Sequence, residues 1–132
     1  MRPRNNMISI CSAAALGMLL QVTSATAQQS AAEAGHALAV EHCRRCHVIP
    51  GQNNMGIGST PSFKVMVQSK AADWRDKFEA FFSLRPHPNF VRIMEYRTVS
   101  PAPSIVAPIV LGLDDIDDLM AYIDELAKEY RK

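Results

Sequence analysis

Five consecutive residues, Cys43-Arg44-Arg45-Cys46-His47, bring two thiols and an imidazole together. Thiols about one helical turn apart can add to the two vinyl groups on one edge of a porphyrin, and the adjacent imidazole can then bind the iron as its proximal ligand. The spacing is that of c-type haem attachment. It predicts one haem c per chain, held covalently by Cys43 and Cys46 with His47 on the iron. Two other uses of a close cysteine pair fit less well. A thioredoxin-like redox pair needs a βαβ frame, and no strand pattern stands out. A structural zinc site needs four ligands; His36 and His42 are near, but there is no second cysteine pair, and both histidines read as surface positions on a first helix.

The chemistry has to be set in a chain of 132 residues with 14 Lys+Arg against 13 Asp+Glu, 48% hydrophobic residues and 8 prolines. That is room for one small domain. The composition is not that of a disordered tail, and a formal charge of +1 lacks the basic excess that nucleic-acid binding demands. The first 27 residues read as an export signal. Arg2 and Arg4 precede an uncharged apolar run, Met7 to Leu20, and Ala25-Thr26-Ala27 has the small-x-small pattern of a cleavage site. The run of 14 residues falls short of the roughly 20 a bilayer crossing needs, so no stable membrane anchor is expected. Residues 1–27 are thus expected to be a cleaved signal peptide carrying Cys11 away, and 28–132 a periplasmic domain.

Within that domain, an alanine-rich helix is expected from a Ser30 cap to Cys43. Gly51, Asn53, Asn54, Gly56 and Gly58 mark a loop, followed after Pro61 by a short helix or turn over Phe63 to Val67. Trp74, Phe78, Phe81 and Phe82 recur at helical spacing and predict an amphipathic helix from Lys70 to Leu84, stopped by Pro86 and Pro88. Five of the eight prolines fall between residues 86 and 108, which reads as one long loop packed against something. Asp114-Asp115 opens a last helix, whose stripe is Ile116, Leu119, Met120, Ile123, Leu126, Ala127 and Tyr130. Charge is uneven: residues 44–97 carry nine Lys/Arg and four Asp/Glu, residues 98–132 three and seven. Such a division either steers a partner or makes two ordinary solvated faces.

With Gly35-x-x-Leu38 ahead of Cys43, the Cys43–His47 motif and the closing helix Asp114-Asp115-Ile116-Asp117-Asp118-Leu119-Met120-Ala121-Tyr122-Ile123, the chain resembles the class I c-type cytochromes. The resemblance implies a small all-α cytochrome c-like domain with crossed N- and C-terminal helices around the haem. Gly35 would permit close approach to the stripe containing Tyr122 and Ile123. It also implies an electron carrier working through an exposed porphyrin edge, beside which Arg44 and Arg45 would favour a protein partner with an acidic patch. The middle of the chain departs from the family. Where His-Pro-x-Met would supply a sixth ligand, this chain has His87-Pro88-Asn89-Phe90, and Phe90 cannot bind iron; counting back from the last helix reaches Ala107-Pro108, also without sulfur. Met94, in the loop, is the favoured distal ligand and His87 the alternative; Met66 and Met120 read as core, and Met55 lies too near the motif. The missing methionine keeps alive a haem protein with an open sixth position that binds a small gas or reduces peroxide, and a docked electron-transfer subunit of a larger oxidoreductase is a third reading. No Ser/His/Asp set, paired acids or phosphate loop supports a hydrolase.

Overall fold

Alanine and glutamine around position 30 favour helix, and the chain is helical over 26–38 (α1) before widening into a π turn, Ala39–Cys43. The computed structural model describes residues 26–96 and 107–132. Ser30 is not the cap expected of it. It lies inside α1, and its hydroxyl donates to the Ala27 carbonyl at 2.8 Å. After the motif and a loop comes α2, Phe63–Val67, whose Ser62 hydroxyl accepts from the Val65 N–H at 3.2 Å and so satisfies one orphan donor of the first turn.

The amphipathic helix expected over 70–84 is shorter and in two parts, α3 at Trp74–Glu79 and a 3₁₀ turn at Phe81–Ser83. The tighter winding brings side chains three apart into register, and Phe78 and Phe81 both face one cavity. A second 3₁₀ turn, His87–Asn89, leads into β1, Val91–Ile93, which pairs in parallel with β2, Ile109–Leu111. The long proline-rich stretch therefore contains a strand the sequence reading did not expect. Three residues offer too little alternation to be seen locally; Val91 and Ile93 are buried while Arg92 between them is not. Residues 97–106 of that stretch lie outside the described residues.

The last helix, α4, runs Leu113–Tyr130. Its first turn is closed by the Asp115 carboxylate, which accepts the Gly112 N–H at 2.8 Å, with acids favourably placed at the positive end of the dipole. The expected stripe is buried from Ile116 to Leu126 and is only half-buried at Ala127 and Tyr130. α1 crosses α4 backbone to backbone: a β-carbon on Gly35 would lie 1.9 Å from the Asp118 carbonyl oxygen. The crossing sits one turn ahead of Tyr122. Ile49, Val67 and Ile123 are fully enclosed where α2 and α4 meet the motif loop. Arg75 ties α3 to α4 through two 3.0 Å bonds to Asp124. Arg131 caps the carbonyls of Val67 and Ser69 at 3.0 and 2.8 Å, with its guanidinium over Trp74. Among the described residues no helix is long and apolar enough to cross a membrane.

Candidate functional site

Behind the π turn the chain winds one more helical turn, in which the N–H groups of Cys46 and His47 both donate to the Cys43 carbonyl, at 3.1 and 2.9 Å. Residues three and four apart share a helix face, so this turn gathers both thiols and the imidazole on one side. The following loop is stitched to it. The Asn54 amide donates to the carbonyls of Arg44 (2.9 Å) and His47 (2.7 Å) and accepts the Ile49 N–H (3.2 Å). Gly56 is left-handed (φ 58°), and a β-carbon there would stand 2.8 Å from the Cys46 carbonyl oxygen. Only glycine allows both the conformation and the approach, and the Ile57 N–H then reaches the same carbonyl at 2.8 Å.

His47 is oriented by the loop's far end. Its Nδ1 lies 2.8 Å from the Pro61 carbonyl, which can only accept, so Nδ1 carries the proton and Nε2 keeps a lone pair for a metal. Burial pushes its pKa below the ordinary imidazole value; the Pro61 bond opposes this, and His87 adds to the lowering. The ring therefore favours the neutral form that ligates metals. Burial, reinforced by Cys46, pushes the Cys43 thiol up to about 12. The two thiols are not joined to each other.

All three side chains line a mainly apolar cavity of about 640 Å³, between the motif turn, α2, α3, the 3₁₀ turns and the strand pair. That is the size range of cofactor and ligand pockets. His87 lines the same cavity, with its Nδ1 3.0 Å from the Leu84 carbonyl. Its ring lies nearly parallel to that of His47, 6° between planes and 6.0 Å between centroids. Phe81 meets it edge-on at 5.2 Å and Phe90 stands 5.8 Å away. Met94, the residue favoured from sequence, is not brought here: it is 67% exposed and its terminal methyl lies against Gly112. The reason is the strand pairing: the Met94 N–H donates to the Leu111 carbonyl at 2.9 Å just past the end of β1, which holds the residue beside Gly112. Met55 is exposed and Met120 buried in the core, while Met66 lines the cavity wall. His36 and His42 are half-buried rather than on the surface; His36 packs on the Tyr122 ring at 5.0 Å, and His42 lines the cavity.

These features converge on one class of protein, a helical domain built around a porphyrin pocket. The family model described as Cytochrome c matches residues 32–127, and the chain belongs to that family. No curated protein and no solved structure matches it significantly. The family's cofactor is haem c and its role that of a haem electron carrier. The residues present fit the group: two thiols and a tautomer-fixed imidazole open onto an apolar space large enough for a macrocycle. Sequence reasoning missed Asn54, Gly56 as a packing residue, and the Pro61 carbonyl. The asparagine and glycine were visible only as loop formers, and a backbone acceptor has no signature in side chains.

Proposed function

We propose that this chain is an exported monohaem electron carrier, with haem held by thioether bonds from Cys43 and Cys46 and the iron bound by Nε2 of His47. The observation that carries the reading is the placement of both thiols and the Nε2 edge of His47 on one apolar cavity, with Nδ1 committed to Pro61. The bound haem supplies an iron that changes by one electron between ferric and ferrous states. The chain's own residues exclude water from it, fix the imidazole and hold the macrocycle at one edge. The Ala25-Thr26-Ala27 site behind an apolar run supports export to the periplasm.

The partner is proposed to be a protein with an acidic patch. Arg44 and Arg45 are both exposed beside the thiols, and Val65 and Leu84, 58% and 45% exposed, stand on the cavity rim. Exposed apolar side chains on the rim together with exposed arginines next to the thiols suit transient, electrostatically steered encounter. The purified holoprotein should take up one electron per chain reversibly and exchange it with its partner at a rate that falls as salt rises. Replacing Arg44 and Arg45 by Glu should slow the exchange at low salt. Exchange insensitive to both changes would mean that the arginines merely face solvent. Sustained peroxide turnover without electron exchange would overturn the carrier reading.

A further inference from the structure

We propose that His87, through Nε2, is the second axial ligand of the haem iron, which is then held between two imidazoles with nearly parallel planes. The inference rests on the haem-carrier reading and adds to it the residue that closes the distal side. His87 and His47 line one cavity, and each has Nδ1 directed at a backbone carbonyl, Leu84 at 3.0 Å and Pro61 at 2.8 Å. Each ring is left with Nε2 as its ligating atom. The separation suits one metal between them. An imidazole–metal bond of about 2.0–2.1 Å, as on zinc, with about 1.1 Å from nitrogen to ring centre, spaces two opposed rings by roughly 6 Å; the observed centroids are 6.0 Å apart and the planes differ by 6°.

Nothing else in the described cavity wall competes as well: His42 also lines it but sits directly before Cys43, on the side of the attachment turn rather than across from it. Phe90, where the family would place a methionine, has no ligating atom, and Met94 is turned out to solvent. Met66 belongs to α2, which starts two residues after Pro61 and so lies on the side from which His47 is held. His87, by contrast, is preorganised. It opens a 3₁₀ turn in which the N–H groups of Asn89 and Phe90 bond to the carbonyls of Pro86 and His87 at 3.1 and 2.9 Å, and Phe81 and Phe90 flank its ring. A second imidazole in place of a thioether gives a lower potential, and it closes the position a gas or peroxide would need.

The test uses the full chain made with haem-attachment machinery. The ferric wild type should give the rhombic low-spin EPR signal of parallel imidazoles and no weak long-wavelength sulfur–iron band, and the reduced form should not bind carbon monoxide promptly. His87→Gly should lose the low-spin signal and open to carbon monoxide, and added imidazole should restore the wild-type spectrum, a rescue that a merely structural histidine would not show. Met94→Leu and Met66→Leu should leave the spectra unchanged. A sulfur–iron band in the wild type that disappears in either methionine variant overturns the proposal, as does a wild type already high-spin and open to carbon monoxide. If His87→Gly does not accumulate, the wild-type EPR and carbon monoxide results decide between these outcomes. A denatured chain without haem would instead overturn the carrier reading itself.

Discussion

Asn54 closes the loop that follows the two thiols, making three hydrogen bonds to the backbone of residues 44, 47 and 49. At about 0.5–1.5 kcal/mol for each bond, and with part of the group open to water, Asn54→Ala should cost roughly 2 kcal/mol of stability. Denaturant unfolding followed by haem absorbance would measure it; an unchanged midpoint would show that the loop stands without the side chain. Tyr122 presents the opposite situation. Its buried hydroxyl has no hydrogen-bond partner among the described residues, and burial, followed by the charges of Tyr130 and Glu129, pushes the phenol up to about 12. Tyr122→Phe should therefore be neutral or stabilising, since the deleted group is desolvated without compensation. An unfolded tyrosine ionises near 10, earlier than the folded one, so its ionisation has no effect on stability below that pH and drains stability as pH rises from about 10 toward 12. Thermal melts across that range should decline less steeply in Tyr122→Phe than in wild type, and a variant that melts well below wild type at neutral pH would reveal a hydroxyl partner. At this scale the candidate attachment residues could be picked out because Cys43, Cys46 and His47 fall within five residues, and the fold brings all three onto one cavity. His87 was named but ranked second to Met94, because loop length alone does not tell which side chain folds over the cavity.

The elements differ in how openly the sequence announces them. α4 was legible almost to the residue, since its apolar stripe and its acids at the start agree with each other and with its burial. α2 was legible only as a helix or turn, from Pro61 before it and its short apolar run, and the structure makes it a helix. β1 was not, because its pairing with β2 joins residues 18 apart in register, Val91 to Ile109 and Ile93 to Leu111, and nothing local records a partner at that distance. The π turn at Ala39–Cys43 was equally hidden; an extra residue in a helical turn leaves the periodicity of so short a segment unchanged to the eye. The crossing of α1 and α4 yields the sharpest prediction at this scale. A methyl group on Gly35 would overlap the Asp118 carbonyl oxygen at 1.9 Å and press on the Leu119 nitrogen at 2.9 Å. Backbone cannot step aside as a flexible side chain can, so Gly35→Ala should destabilise the protein by about 3 kcal/mol, the upper end of the usual cost of overpacking. A chemical-denaturation loss below about 1 kcal/mol would show that the helices can separate at little cost.

For the whole molecule, the decisive feature is that the cavity and the core share walls. Cys43, Phe78, Phe81 and Phe90 pack against the buried cluster and also line the 640 Å³ space, so the described residues offer no second core to fall back on. A porphyrin in that space would complete the interior, which makes the covalent attachment part of the fold as well as of the function. The roles given to the two thiols and His47 on one helical turn, to the Pro61 carbonyl behind the ring and to the parallel imidazole of His87 all depend on that attachment being real. The mass of the denatured protein, purified from cells with working haem-attachment machinery, tests it most directly. One haem should remain on each wild-type chain after denaturation and be lost from the Cys43→Ala/Cys46→Ala variant; a wild-type mass equal to that of the bare polypeptide would contradict the account at its centre.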